Sequence, residues 1–266
     1  MHEEEQLDNK TNPRPDLPDR KTRVVRSDLA WSTADRIVVR GKDLPGEILG
    51  HLNLGDMAFL ELTGRAPDAR ESKLFNAMVV TLVEHGITPS ALAARLTYLG
   101  APEAMQAAVA AGLCGLGSVF VGSTEGVARL LFEVLSKNPS PDVKAVVANT
   151  KRIPGLGHPI HTSVDPRTVR LFEIGRETGF YGKYCRLMED IGKAKNLVVN
   201  ATGAIGALAC ELGLDWRAVR GLGVMARAVG LVGHILEESR EPMAEEIWHR
   251  MEAEATRHVD KKSDKP

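Results

Sequence analysis

The chain predicts an all-α protein of about a dozen helices. Apolar residues recur at helical spacing through most of its length, strand signals are almost absent, and the bulk composition is that of an ordinary globular protein. Of 266 residues, 43% are hydrophobic and 26% charged, enough chain for one large domain or two smaller ones with a real core. A net charge of −1 and an aromatic content of 5% argue against nucleic acid and against an anionic membrane as partners. Cys114, Cys185 and Cys210 show no C-x-x-C spacing and read as buried thiols in a reducing compartment, so a cytoplasmic location is expected. Neither a signal peptide nor a membrane span is expected. The first thirty residues lack an apolar stretch, and no uncharged apolar run reaches about 18 residues.

The elements follow in order. Residues 1–21 are polar, charged and carry Pro13, Pro15 and Pro18, the pattern of an extended or disordered arm. Short β-branched runs at 23–26 and 36–40 allow a small N-terminal hairpin. Leu74, Met78 and Leu82 recur at i, i+4 and i+8 beside Phe75, Val79 and Val83, the wide apolar face of a buried helix. Gly86 after Glu84-His85 fits the end of that helix, and a second follows near Ser90 to Leu99. Arg65 and Arg95 read as surface or loop charges. The segment from Ala101 to Cys114 is alanine-rich and suits close helix packing. Gly112, Gly115, Gly117 and Gly122 follow no strand, so they predict a tight helix crossing or a sharp bend rather than a dinucleotide fingerprint. Asp165-Pro166 supplies an N-cap and first residue to a helix carrying Val169, Phe172 and Ile174. Met225, Val229, Val232 and Leu236 mark a further helix, roughly Leu222 to Glu238. From about Arg257 the sequence reads as a flexible tail.

One segment carries most of the chemistry. Pro154-Gly155-Leu156-Gly157-His158, followed by Asp165-Pro166-Arg167, puts a glycine turn, a histidine and an arginine within fourteen positions. Glycines let a backbone approach a ligand, the histidine can move a proton near neutral pH, and the arginine can grip a carboxylate with two bonds. Asn200-Ala201-Thr202-Gly203 reads either as a plain helix start or as N–H groups and a hydroxyl offered to an anion. Arg227, between Ala226 and Ala228, lies either on a solvent face or buried, where it would need an anionic partner. His85 near a helix end is explained by the helix dipole alone. His158 and His161 lack a third metal ligand, and no H-E-x-x-H, G-x-S-x-G or P-loop is present.

The order of these pieces resembles the citrate synthase superfamily, and within it the short citryl-CoA lyase-like members. Gly55 to Pro67 is similar to the family's early helix pair, and Glu84-His85-Gly86 to its D-H-G/E element. Pro154 to His158 with Asp165-Pro166-Arg167 matches its most specific motif, and Arg227 to His234 its R-x-x-G-x-x-x-H helix. The resemblance covers roughly residues 35 to 245. It implies a large and a smaller helical domain with the active site in the cleft. The large domain takes residues 22–122 and 213–256, the small one 123–212, and 257–266 is the tail. It further implies a homodimer or higher oligomer, an acyl-CoA and a di- or tricarboxylate as ligands, and no tightly bound cofactor or metal. Carried over by position, His85 bonds the carboxylate substrate, His158 contacts the carbonyl or carbinol oxygen, Arg167 and Arg227 clamp carboxylates, Asn200 lies at the substrate, and Pro154, Gly155, Leu156 and Gly157 lie against the CoA adenine. Arg240 corresponds to an arginine given by the partner subunit, although Glu241 interrupts the usual Arg-Pro pair.

Two departures bear on the reaction. Phe120 stands where the family has its first catalytic histidine, and Thr202 where it has its catalytic aspartate. Phenylalanine transfers no proton, and threonine is a poor base at neutral pH. Loss of a general base costs about 10²–10⁴-fold in rate, which disfavours condensation by the family route. Cleavage needs first a base on a carbinol O–H. His158 is expected to serve there, with the Thr202 hydroxyl and N–H groups near Gly117 to Gly122 stabilising a thioester enolate. The leading expectation is therefore cleavage of a citryl-CoA-like 3-hydroxy-3-carboxyacyl-CoA to an acyl-CoA and a 2-oxo acid such as oxaloacetate. A citrate synthase-like condensation or other acyl-CoA chemistry, and a non-catalytic acyl-CoA- or carboxylate-binding homologue, are the alternatives.

Overall fold

The computed structural model describes residues 25–263, so the arm expected over 1–21 lies outside the described residues. The chain divides between Leu49 and Gly50 into two compact units. In the first, β1 (Ala30–Ser32), β2 (Ile37–Val39) and β3 (Lys42–Asp43) form an antiparallel sheet in that order. The run at 36–40 supplies β2, which pairs with Ala30–Ser32; the run expected to pair with it at 23–26 lies partly outside the described residues. The Thr33 N–H donates to Arg36 O at 2.8 Å across a tight turn, which pairs β2 with the segment directly before it. A single π-helical turn, Leu44–Ile48, follows, capped by Asp43 accepting from Gly46 N at 3.0 Å.

The second unit holds eleven α-helices among the described residues: α1 (Leu54–Thr63), α2 (Ala69–Val83), α3 (Pro89–Gly100), α4 (Met105–Cys114), α5 (Gly122–Lys137), α6 (Val143–Asn149), α7 (Pro166–Thr178), α8 (Lys183–Lys195), α9 (Ala201–Glu211), α10 (Trp216–Glu238) and α11 (Ala244–Ser263). Their starts are chemically marked. Asp68 and Glu71 form a reciprocal capping box on α2. Asp165 and Pro166 open α7 as the sequence predicts. The helix α11 continues through the segment read as a tail, as far as Ser263.

Leu74, Phe75 and Met78 of α2 are fully buried, as their spacing predicts. The helix α9 is enclosed by α5, α7 and α8, and Ala204, Ile205, Ala207, Leu208 and Ala209 have no exposed surface. The expected stripe of α10 is not its core face. Val229 and Leu236 are half exposed, whereas Leu222, Ala226, Leu231 and Ile235 are buried. This helix packs against α2, α3, α4, α5 and α9. It is apolar on several sides, and long and apolar enough to cross a membrane by composition, so its periodicity fits more than one face. The consequence is that Arg227, His234 and Glu238 of α10 are all buried. Arg95 is a second correction: it is fully buried in α3, not a surface charge. Arg65, half exposed, pairs with Glu71 at 2.6 Å.

Gly112 realises the tight crossing expected of the glycine cluster. A Cβ there would lie 2.7 Å from Leu231 Cδ1 and 2.8 Å from Ser90 O, where α4 meets α10 and α3. Gly112→Ala is therefore expected to lower stability by about 1–3 kcal/mol through overpacking. Urea denaturation should show a lower midpoint at unchanged slope.

Candidate active site

The loop of residues 154–157 is stitched to the strand-like segment before α9. Leu156 bridges Val199, Gly157 N donates to Val198 O at 2.8 Å, and Asn200 N donates to Gly155 O at 3.0 Å. Gly155 has φ +79°, and a Cβ would come within 2.6 Å of Gly203 Cα. Only glycine fits so close a backbone contact in the left-handed region. Asn200 then fastens both sides. Its Oδ1 caps α9 by accepting from Thr202 N and Gly203 N, and its Nδ2 donates to Gly157 O at 2.7 Å.

Asp165 is the second fastener. Its buried carboxylate accepts from Arg167 Nε (3.0 Å) and Nη2 (2.8 Å), from Arg167 N (3.0 Å) and from Ala201 N at the start of α9 (3.0 Å). Burial alone would raise its pKa, but the Arg167 guanidinium and these N–H groups outweigh burial and hold the carboxyl below the usual range.

A third network lies beneath His85. Glu84 Oε1 accepts from His85 N (2.8 Å) and Gly86 N (2.7 Å) and meets His234 Nε2 at 3.0 Å. Arg95, which can only donate, approaches His234 Nδ1 at 2.9 Å, so the neutral His234 ring donates to Glu84 from Nε2. Arg95 also donates to Glu237, and to Glu238 at 2.7 Å; Glu238 in turn accepts from the N–H groups of Met243 and Ala244 at the start of α11. Glu84 and His234 belong to motifs read in the sequence but carry no role there, and Arg95, Glu237 and Glu238 are missed. The signal for His234 and Glu238 is polar groups inside an apolar helix, on the buried side of α10.

These fasteners bring His85, His158, Arg167, Asn200, Thr202, Arg227 and Phe120 around one cavity of about 340 Å³. Arg227 is the unusual member. It is 6% exposed, its Nε donates to the Leu82 carbonyl at 3.3 Å, and it has no ion pair among the described residues. Burial pushes its pKa below the usual arginine value, with Glu84 acting in the opposite sense. Glu84, the carboxylate that acts on it, is already engaged by His234 and two backbone N–H groups.

The two histidines differ. His158 Nδ1 accepts from the N–H groups of Ile160 (3.1 Å) and His161 (3.0 Å), so the neutral ring carries its proton on Nε2. The ring stacks on His161 at 4.5 Å and lies 6.5 Å from His85. His85 makes no side-chain hydrogen bond among the described residues. Both pKa values are lowered. Burial, Arg167, Arg227 and His158 act on His85, and burial, His161 and Arg167 on His158. His158 thus presents a donor to the cavity rather than the free base expected of it. The Thr202 hydroxyl also differs from expectation, because it donates to Asn200 Oδ1 at 2.7 Å instead of facing an enolate. Phe120, half exposed, lines the same cavity.

A groove of about 740 Å³ adjoins the cavity through Val119, Ser123, Gly157, Asn200 and Thr202. Pro154, Gly155 and Leu156 line it with Arg129, Arg152 and Arg220. Arg240, exposed after α10, lines neither space. No cluster of three or more metal-ligating side chains occurs among the described residues.

Residues 46–249 match the family model "Citrate synthase, C-terminal domain". The chain belongs to the citrate synthase family. Its fold is similar to that of citryl-CoA lyase from Hydrogenobacter thermophilus, with TM-score 0.75 and 36% identity over 81% of this chain and 87% of that one. It also matches the fold of ATP citrate lyase from Methanothrix soehngenii in complex with citrate and coenzyme A, with TM-score 0.69 and 20% identity over 88% of this chain and 43% of that one. By sequence it is 26% identical over 244 residues to a probable ATP-citrate synthase of Dictyostelium discoideum, covering 83% of this chain and 39% of that protein. Citrate synthase 2 of Bacillus subtilis is 25% identical over 185 residues, or 66% of this chain and 50% of that protein. The chain thus spans half or less of these two curated relatives.

Removing the Asp165 carboxylate should loosen both helix starts. Asp165→Ala is expected to cost about 2–4 kcal/mol at pH 7, because one partner of a largely buried pair is lost. The folded pKa is depressed, so this contribution is present above the unfolded carboxyl value near 4 and fades as pH falls through the folded one. Denaturant midpoints of wild type and variant should therefore converge below about pH 4.

Proposed function

We propose that this chain cleaves a citryl-CoA-like 3-hydroxy-3-carboxyacyl-CoA to an acyl-CoA and a 2-oxo acid of the oxaloacetate type. The observation that carries the reading is Arg227, buried and without a carboxylate of its own, in the same cavity as Arg167, His85 and His158. A buried charge costs several kcal/mol unless paired, so a ligand carboxylate is the natural partner. Arg167, tied to Asp165 yet about a third exposed, offers further donors to a second carboxylate. The adjoining groove, with glycine backbone, Arg152, and Arg129 and Arg220 paired to Glu133 and Glu125, suits the adenine and phosphates of a CoA ester. The H. thermophilus relative is named for citryl-CoA, and the M. soehngenii structure contains citrate and coenzyme A.

Cleavage is favoured over condensation by what surrounds the thioester end. With Phe120 and Thr202 there, and the Thr202 O–H engaged, no carboxylate lines the cavity among the described residues. An enolate takes a proton from water readily, whereas removing one from a thioester α-carbon needs a base. The cavity walls come from the end of α2, the start of α3, residues 116–123 and α10, and from residues 157–167 with the start of α9. This supports an active site between domains of residues 22–122 plus 213–256 and 123–212. A homodimer fits the half-exposed, charge-free helix α4 and the exposed Val229 and Leu236 of α10. Cys185 and Cys210 are buried free thiols as expected, whereas Cys114, at the end of α4, is exposed; three free thiols fit a cytoplasmic location. A second reading, a non-catalytic CoA-ester-binding homologue, is favoured by the same Phe120 and Thr202.

Incubation with citryl-CoA should release oxaloacetate, read by reduction to malate, and Arg227→Ala should lower kcat/KM by about 10²-fold or more. Binding of citryl-CoA without oxaloacetate release supports the binding homologue, and failure to bind any CoA ester excludes both readings. Restoring Phe120→His with Thr202→Asp should raise citrate formation from acetyl-CoA and oxaloacetate.

A further inference from the structure

Granted the cleavage reading, the reaction must begin with loss of a proton from the carbinol oxygen. His158 is poorly disposed to take it. Two backbone N–H groups converge on its Nδ1, so the nitrogen left for the substrate is Nε2, which carries a proton in the neutral ring. Accepting a second proton on this ring would break both backbone contacts. The Thr202 hydroxyl, engaged with Asn200, offers no base either.

We propose that His85 is the base of the reaction and His158 its hydrogen-bond donor. His85 lies in the same cavity, its ring 6.5 Å from that of His158, with both ring nitrogens free of protein partners among the described residues. Its backbone N–H donates to Glu84, which is held by His234 and through it by Arg95, so the ring sits on a braced connection two residues past α2. The charged groups facing it are Arg167 of α7, Arg227 of α10 and His158 of the glycine loop, with Glu84 behind it. The three basic neighbours favour its neutral form, as does its partial burial, and together they outweigh Glu84.

The carbinol proton passes to a ring nitrogen of His85, the oxygen becomes the carbonyl of the 2-oxo acid, and the carbon–carbon bond pair becomes the thioester enolate. His158 Nε2–H donates to the oxygen throughout. Water then protonates the enolate carbon, and the hydroxide left takes the proton from His85.

The test is the pH dependence of citryl-CoA cleavage in the wild type, His85→Gln and His158→Gln. The wild type should show kcat/KM rising with pH to a plateau, with its limb below the ordinary histidine value of about 6.5. His85→Gln should lose about 10²–10⁴-fold in kcat with KM changed less than about tenfold, and its limb should vanish. His158→Gln should be slower but keep the limb. A limb retained in His85→Gln, or a defect there confined to KM, would overturn the assignment while leaving the cleavage reading intact. A wild type that turns over no citryl-CoA would remove both.

Discussion

A guanidinium buried without a counter-charge is the constraint to which the rest of the site answers. Arg227 sits on the central helix α10, nearly free of solvent, with one backbone carbonyl as its acceptor. The carboxylate acting on it, Glu84, is committed elsewhere, to His234 and two backbone N–H groups. Asp165 is likewise tied to Arg167 and Ala201, and Glu238 to Arg95 and the start of α11. The uncompensated charge is thus confined to the cavity, where a ligand can neutralise it.

The same commitments give the site its rigidity. Asp165 joins the starts of α7 and α9, and Asn200 joins α9 to the glycine loop, so His158, Arg167 and Thr202 share one frame. The network of Glu84, His234 and Arg95 ties the end of α2 to α3 and α10, which places His85 and Arg227 in a second frame. The cavity lies where the two frames face each other. Prepositioned charge of this kind is inexpensive at the moment of reaction, because little has to reorganise.

Much of this was legible in the sequence. The periodicity of Leu74, Met78 and Leu82 identifies a core helix, Asp165-Pro166 marks a helix start, and His85, Phe120, His158, Arg167, Asn200, Thr202 and Arg227 of the ordered motifs line one cavity, whereas Arg240 does not. The face of α10 was not legible, because a helix apolar on several sides has no single stripe to read. For the same reason the buried position of Arg227 stayed open until the packing was known. Arg95 was misread because burial of a charge depends on partners some 140 positions away, Glu237 and Glu238, which local context cannot show. The tautomer of His158 and the donor role of the Thr202 hydroxyl rest on backbone geometry within a few residues, invisible to composition and spacing.

The central claim is that Arg227 is held in reserve for a ligand carboxylate. Calorimetric titration of oxaloacetate into the wild type and Arg227→Met tests it most directly, since methionine keeps apolar bulk and removes the charge. The account predicts binding to the wild type and a loss of about 10²-fold or more in the variant. Equal affinity in the two proteins would contradict it.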